Sequence, residues 1–190
     1  MKAHWLYLQY VIRHKWYVWQ ECRKYGLIWR GIKHDWQKFL PCEWFPYVEY
    51  FYGPKHPDVG AEGYNHQLHQ DDTAFNYAWN HHQKSCSHHW QYYLLNYGDG
   101  RTMVLKMPQN DMKEMVADWR GAGLAQGYPN TWERYAKNKD KMQLHPDTRA
   151  WIEKELILQA YSEGNIGAGY DFEHEQLGTT IEKLNQQLGA

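Results

Sequence analysis

KAHWLYLQYVIRHKWYVWQECRKY, residues 2–25, is the stretch on which the expected fold rests, because its apolar side chains recur at helical spacing. They are Trp5, Leu6, Leu8, Val11, Ile12, Tyr17 and Val18. This recurrence predicts one long amphipathic α helix that ends at Gly26, a natural stop. His14 lies in the middle of the stretch. The chain is therefore expected to begin with a long helix that carries a histidine.

Helical patterns continue through most of the remaining chain. The predicted helices cover 27–39, 41–52, 73–83, 88–97, 112–120, 131–142, 147–162 and 179–188. Asp111 and Glu114 form a predicted capping box for the helix at 112–120, which is predicted to stop at Gly121 and Gly123. Residues 101–107 are a candidate extended segment. The predicted fold class is all-α, a helical bundle with at most one minor strand pair.

A chain of 190 residues is long enough for one well-formed core and short for two, so a single domain is expected. That domain is predicted to span residues 1–162. Residues 53–72 are rich in Gly, Pro, His and Asp, and they are predicted to be a loop or lid because long loops in compact domains are usually functional or disordered. Residues 163–190 are predicted to be a C-terminal tail with a short helix.

Composition and charge argue against several classes of protein. The formal net charge of −1 gives no overall field for a polyanion, so nucleic-acid binding is not expected. Cys22, Cys42 and Cys86 form no C-x-x-C pair, a pattern typical of a reducing compartment. Residues 1–15 are too polar and too short for a signal sequence or membrane span. A cytoplasmic protein without a membrane partner is expected, and its oligomeric state is left open.

Histidine enrichment indicates metal chemistry, since the chain contains 12 histidines and histidine is the commonest metal ligand. In Ile32–Lys38 (IKHDWQK), adjacent His34 and Asp35 can offer an imidazole nitrogen and a carboxylate oxygen to one ion, or the carboxylate can bridge two. On a continuous helix Lys38 would project over the same face as His34 and hold a phosphate oxygen there. The alternative is a helix-end histidine with a solvated Asp and Lys.

Further candidate ligands follow in NHHQKSCSHHW, residues 80–90. His81 and His88, like His82 and His89, are seven residues apart and would share a face on a continuous helix. Because Ser85-Cys86-Ser87 interrupts that register, His82 and His89 are favoured, with His88 close behind. The alternative is a polar helix-turn-helix whose histidines cap helix ends. The histidines at 56, 66 and 69 could compete as ligands, but they are interpreted as loop histidines.

Asp118 is a carboxylate among apolar neighbours, and a buried carboxylate needs a compensating partner such as a metal. The rival partner is Arg120 or a distant arginine. A second, basic and aromatic patch lies near Trp132, Tyr135 and Trp151; its members are Arg134, Lys137, Asn138, Lys139, Lys141, His145 and Arg149. Lys141 and Arg149 are its predicted substrate-binding side chains, for the phosphate and base of a nucleotide. A solvated helix face is the alternative.

The order of these residues resembles the HD-domain superfamily of helical, metal-dependent phosphohydrolases. The matching positions are His14, His34-Asp35, the pairs His81-His82 and His88-His89, and Asp118. The form H-D-x-x-K, residues 34–38, resembles the subset of that superfamily with two-metal sites. The separation of His82 and His89 is shorter than in many of those proteins. The whole chain also resembles an uncharacterised bacterial and phage family with the same histidine-rich signature.

The resemblance implies a hydrolase that binds one or two divalent ions, iron or manganese, and acts on a nucleotide or another small phosphoester. The implied metal ligands are His14, His34, Asp35, His82, His88, His89 and Asp118. Asp35 would bridge two ions and Lys38 would neutralise the phosphate, so these two are the predicted catalytic side chains. Two alternatives stay open: an HD-type di-iron oxygenase with the same ligands, and a non-catalytic scaffold that binds a nucleotide or a partner protein.

Overall fold

The computed structural model describes residues 1–54 and 72–166, and these residues confirm the predicted all-α class. The α helices are α1 (Lys2–Lys24), α2 (Ile28–Lys33), α3 (Pro41–Tyr52), α4 (Thr73–Ser85), α5 (Gln109–Gln126), α6 (Thr131–Asn138) and α7 (Pro146–Ser162). Short 3-10 helices cover Trp36–Phe39, Trp90–Tyr93 and Lys139–Lys141. Among the described residues, no helix is both long and apolar enough to cross a membrane.

Two predicted segments lie wholly or almost wholly outside the described residues. They are the loop at 53–72, with its three histidines, and the helix at 179–188. Of the predicted tail, the structure describes only residues 163–166, which form turns and bends.

The predicted helix at 88–97 is wrong, because a 3-10 turn and a β hairpin take its place. Strand β1 (Leu94–Asn96) pairs antiparallel with β2 (Thr102–Val104), which is the minor strand pair that the sequence allows. Gly100 turns the chain between the strands at φ +85°, a left-handed conformation that a glycine adopts without a steric penalty. The hairpin follows His88 and His89, so the chain leaves these two side chains in a turn instead of on a helix.

Helix α1 is central, because it packs against α2, α3 and α5. Its buried positions recur along one face: Tyr7, Val11, His14, Val18, Glu21 and Cys22. One apolar cluster joins Tyr7 and Val11 to side chains of α3 and α4. A second cluster joins α5 to α6 and α7 around Met115, Val116 and Ile152. Buried polar side chains lie at the interface of α1 and α5, as His14 and Asp118 do, and others reach the interior from α3 and α4, as Glu43 and His82 do.

Helix α5 corrects two predictions. It continues through Gly121 and Gly123 to Gln126 and ends at Gly127, whose φ of +79° closes it. The capping box is also wrong, since no side chain caps the start of α5. Asp111 and Glu114 instead point inward, where Asp111 accepts a hydrogen bond from the Tyr93 hydroxyl at 2.6 Å. A helix-start pattern and an inward pair of acids share the same spacing, and only the packing tells them apart.

Gly121 is needed for the close approach of α5 to α1. A Cβ atom there would lie 2.5 Å from Val18 Cγ2 and 2.7 Å from the Val18 backbone nitrogen, so a helix axis must move. We expect Gly121→Ala to lower the free energy of unfolding by about 1–3 kcal/mol, the usual effect of overpacking. Urea denaturation measures it. Gly98→Ala is the control, because its Cβ would meet nothing within 4 Å; equal stability of the two variants would contradict the prediction.

Candidate metal centre

His14 on α1 and Asp118 on α5 face each other across the interface that Gly121 keeps close. His14 Nε2 lies 3.2 Å from Asp118 Oδ1. Both residues are buried, with 2% and 9% of their surface exposed. The alternative partner for Asp118 is not used, because Arg120 donates to Glu21 at 2.8 Å and also pairs with Glu163. Asp118 instead contacts the histidines, His14 and His34.

The predicted continuous helix over 27–39 is wrong at the residues that matter most. Helix α2 ends at Lys33, His34 is extended, and Asp35 is left-handed at φ 54° before a 3-10 turn begins. Among the described non-glycine residues, Asp35 alone has a positive φ. A left-handed aspartate is a sparsely populated conformation that persists where surroundings hold it, often at functional sites. The Lys15 ammonium donates to the His34 carbonyl and helps to hold this bend.

The bend turns His34 and Asp35 into the interior, where they are 2% and 1% exposed. Lys38 follows on the 3-10 turn, and its Nζ lies 2.5 Å from Asp35 Oδ2. These three side chains lie close together, as predicted, but a break in the helix brings them together instead of a continuous helix.

The end of α4 and the turn after it supply three more imidazoles. His82 lies in the last turn of α4, and His88 and His89 follow the break at Cys86. The rings of His82 and His89 are 4.8 Å apart, and those of His88 and His89 are 4.4 Å apart. His81 belongs to neither ligand group: its side chain is 45% exposed, and its Nδ1 lies 2.7 Å from Glu43 Oε1. The chain reversal, and not a seven-residue helical register, brings the three together.

Asp35 stands between two groups of ligand atoms. Its Oδ2 lies 3.4 Å from His14 Nε2 and 3.3 Å from His34 Nε2. Its Oδ1 lies 3.3 Å from His82 Nε2 and 3.2 Å from His88 Nε2. Two ligands that are each about 2.1 Å from one ion lie about 3.0–3.4 Å apart. Each oxygen of Asp35 therefore shares ligand-like spacing with a different pair of histidines.

Two four-residue groups result, and both can hold a metal ion. One consists of His14, His34, Asp35 and Asp118, and the other of Asp35, His82, His88 and His89; within each, the ligand atoms lie within 4.8 Å of one another. Every metal ligand that the sequence predicts belongs to one of them.

Several atoms in these groups are buried without a hydrogen bond to any described residue. They are both ring nitrogens of His14, Nε2 of His82, His88 and His89, and both carboxylate oxygens of Asp35, one of which has the Lys38 ammonium beside it. A buried polar atom left unpaired costs about 1–3 kcal/mol, so this many in one place need an explanation. An ion at their centre supplies one, because it binds lone pairs that no protein donor reaches. The donor set of imidazoles and carboxylates fits a first-row divalent metal.

Two glutamates that the sequence analysis missed orient the histidines. His34 Nδ1–H donates to Glu114 Oε1 at 3.1 Å, and His88 Nδ1 lies 3.3 Å from the same oxygen. His82 Nδ1–H donates to Glu43 Oε2 at 3.0 Å. An Nδ1–H bonded to a carboxylate leaves Nε2 as the metal-binding nitrogen, an arrangement typical of metal sites. Glu43 is fully buried in the aromatic helix α3. A single acid in such an aromatic segment was the sequence signal that could have identified it as a functional residue.

Arg30 balances the charge of the Glu114 side. Its Nε donates to Glu114 Oε2 at 2.6 Å, and its guanidinium also pairs with Asp111. Despite burial, the hydrogen bonds from His34 and His88 hold the pKa of Glu114 well below its usual range. Glu114 is therefore an anion that accepts, and the histidine nitrogens facing it are the donors.

The cluster is strongly polarised when protons alone balance its charge. Burial opposes the charged form of Asp35, but His34, Lys38 and His82 outweigh it and hold the pKa of that carboxyl well below normal. Burial likewise opposes the imidazolium of His34, yet Asp35 raises its pKa well above normal. Lys38 keeps its charge, because Asp35 and Asp118 raise its pKa against burial. A divalent cation can take over the compensation that the protons provide.

Two cavities reach this cluster. The larger, about 1180 Å³, touches His14, Lys38, His82, His89 and Asp118 and extends along aromatic side chains to α6. The smaller, about 300 Å³, reaches His34, Asp35 and His88.

The two predicted substrate-binding side chains of the basic patch, Lys141 and Arg149, have different surroundings in the structure. Lys141 lines the large cavity, together with Arg134 and Lys137. Arg149 lines neither cavity. Its guanidinium donates to the Tyr135 hydroxyl at 3.2 Å and to the Met142 carbonyl at 2.7 Å, so it holds the connection between α6 and α7 together.

Fold and cluster together define a helical protein with a buried histidine and carboxylate centre that can hold a metal ion. Residues 3–157 match the Family of unknown function (DUF5662), and the chain belongs to that family. No curated protein and no solved structure matches the chain. The resemblance to the HD-domain superfamily stays a prediction.

Glu114→Gln tests the orienting role of this carboxylate. We expect metal affinity to fall about 10–100-fold, because loss of such a partner weakens both the alignment and the basicity of the histidines it holds. A competition titration with a chromophoric chelator measures the change. Glu133→Gln is the control, since its carboxylate is 56% exposed and its partners are Lys137 and the Asn130 amide, neither of which belongs to the cluster. Equal affinity in both variants would show that Glu114 has no such role.

Proposed function

We propose that this protein is a metal-dependent phosphohydrolase that binds two divalent ions, iron or manganese. The observation that carries the proposal is the position of Asp35, which offers one carboxylate oxygen to each of two histidine groups, with the Lys38 ammonium beside it. A bridging carboxylate next to a buried cation suits a reaction on an anionic substrate. The order of the ligands along the chain, which resembles the HD-domain superfamily, supports the same class.

The two ligand groups would hold one ion each, with Asp35 common to both. When bound, such ions acidify a water molecule and polarise a phosphoryl group, which is the chemistry that phosphoester hydrolysis requires. Glu114 and Glu43 keep the imidazoles in the tautomer that exposes Nε2. The protein thereby supplies a fixed, largely water-excluded frame, and its own contribution is orientation.

Lys38 is the side chain that we assign to the substrate's charge. Lys38 lines the large cavity and keeps its positive charge, because the neighbouring carboxylates raise its pKa. A phosphate that enters the cavity would therefore meet a positive group beside the metal ligands. The aromatic side chains that line the same cavity suit a nucleotide base, and Lys141 is a second basic residue in its lining. We therefore propose a small phosphoester, with nucleotides as the first candidates.

Elemental analysis of the purified protein, followed by a screen of phosphomonoesters, phosphodiesters and nucleotides with manganese or iron, tests this function. We expect bound metal and metal-dependent phosphate release in the wild type, and neither in His34→Ala. Oxygen uptake by an iron-loaded protein without phosphate release would favour the oxygenase alternative. A nucleotide-induced thermal shift without turnover would favour a binding scaffold. Protein without metal, or activity unchanged in His34→Ala, would end the proposal.

A further inference from the structure

Two buried tyrosines line the large cavity beside the candidate metal centre. Tyr7 on α1 and Tyr47 on α3 are 1% and 4% exposed, and their rings are 6.1 Å apart. Neither hydroxyl has a hydrogen-bond partner among the described residues. Both residues line the cavity together with Lys38 and His82. Nothing in the metal centre itself accounts for them.

The surroundings place these hydroxyls near the charged end of the cavity. The Tyr47 ring lies 6.3 Å from the His82 ring. Burial, and then the nearby Lys38 and Asp35 charges, shift the pKa of Tyr7, with a net increase. Burial also raises the pKa of Tyr47. Both phenols are therefore protonated donors at neutral pH, and each is buried at a cost that only an acceptor inside the cavity can offset.

We infer that the hydroxyls of Tyr7 and Tyr47 and the ammonium of Lys38 form a donor pocket for the terminal oxygens of the substrate's phosphoryl group. This inference rests on the proposed hydrolase function and narrows its substrate class to phosphomonoesters. A phosphomonoester carries three terminal oxygens and up to two negative charges, whereas a diester has two such oxygens and one charge. Three donors with one fixed cation match the monoester better.

The rest of the cavity indicates what the phosphoryl group is attached to. Besides Tyr7 and Tyr47, the cavity is lined by further aromatic side chains and by basic residues of α6 and the turn after it; the aromatic ones include Tyr10, Tyr52, Trp90, Trp119 and Tyr135. Aromatic walls favour a planar or ring-bearing alcohol portion. The substrate class is thus a phosphomonoester of a ring-bearing alcohol, with its phosphate against Lys38.

Tyr7→Phe and Tyr47→Phe test the donor pocket, with Tyr77→Phe as the control because its side chain is 75% exposed and outside the cavity. The readouts are calorimetric titration of the manganese-loaded proteins with inorganic phosphate, and kinetics with p-nitrophenyl phosphate and bis(p-nitrophenyl) phosphate. We expect each cavity variant to bind phosphate about tenfold more weakly, the effect of losing one hydrogen bond to a charged group. Metal content and thermal stability should stay at wild-type values, since neither hydroxyl has a partner to lose in the part of the chain that the structure describes.

The outcomes separate this inference from the proposed function. Unchanged phosphate binding in both cavity variants would overturn the donor pocket while hydrolysis stands. Wild-type preference for the diester would overturn the monoester assignment. A drop in melting temperature that matches the loss of binding would show a structural role and overturn the inference. Weaker phosphate binding in both variants, in a protein that turns over neither substrate, would retain the pocket and overturn the hydrolase.

Discussion

Asp35→Ala is expected to leave the purified protein without bound metal and without phosphoester turnover. Both carboxylate oxygens of Asp35 face histidine nitrogens, at 3.2–3.4 Å, so one substitution removes a ligand from each group. Loss of a residue that merely orients a ligand weakens metal binding about 10–100-fold, and loss of a shared ligand should exceed that. Elemental analysis after desalting, with phosphate release as the second readout, measures the effect.

Asp99→Ala is the matched control for this substitution. Asp99 is also an aspartate in a turn, but its carboxylate is 53% exposed in the hairpin loop and pairs with Arg101. We expect wild-type metal content and turnover from it. Circular dichroism of Asp35→Ala should show retained helix, which distinguishes loss of the ligand from loss of the fold. Metal content equal to that of the wild type in a folded Asp35→Ala would contradict the two-group centre.

Removal of metal by a chelator should lower the melting temperature by about 10 °C. A ligand that binds only the folded state stabilises it by about 4 kcal/mol at a thousand times its dissociation constant. For a chain of this size, each 1 kcal/mol shifts the melting temperature by about 2–4 °C. The physical source is the buried cluster, whose carboxylates and unpaired imidazole nitrogens lose their compensating cation. Differential scanning calorimetry of chelated and manganese-reloaded protein measures the shift.

A variant that cannot bind the ion is the control that shows whether the change in melting temperature comes from this site. In Asp35→Ala, added manganese should leave the melting temperature unchanged. A wild-type protein whose melting temperature is the same with and without metal would contradict the prediction, because such a cluster would then be balanced by protons alone. A shift of equal size in Asp35→Ala would place the stabilising ion elsewhere in the chain.

Residue chemistry and spacing predicted most of the side chains that form the candidate site. Helical periodicity around His14 predicts α1, which the structure confirms at Lys2–Lys24. The adjacency of His34 and Asp35, the density of histidines at 81–89 and the isolated acid at 118 identify side chains that then meet in one buried cluster. These signals are local, and a lone carboxylate or an adjacent His-Asp pair needs a partner wherever the chain places it.

The geometry of the site could not be predicted from the sequence where it depends on contacts between segments that are distant along the chain. Asp35 is held left-handed by a bend that Lys15 of α1 supports, so the continuous helix predicted there fails. Glu114 matched a capping pattern, yet its oxygen meets His34 from another element. Gly121 resembled a helix stop, but it allows α5 to approach Val18. In each case the local pattern has two physical explanations, and packing selects one.

By itself, the sequence predicted a helical chain with an excess of imidazoles and a small set of acids that are candidates to share an ion. Periodicity and residue chemistry are properties of neighbours along the chain, so they need no coordinates. The tertiary structure alone decided that Asp35 divides its two oxygens between two histidine groups. It also decided that Tyr7 and Tyr47 line one cavity with Lys38 and leave their hydroxyls without a partner among the described residues. Those arrangements join α1, α3, α4 and α5 across long sequence separations, and only the packed interior brings such atoms within bonding distance.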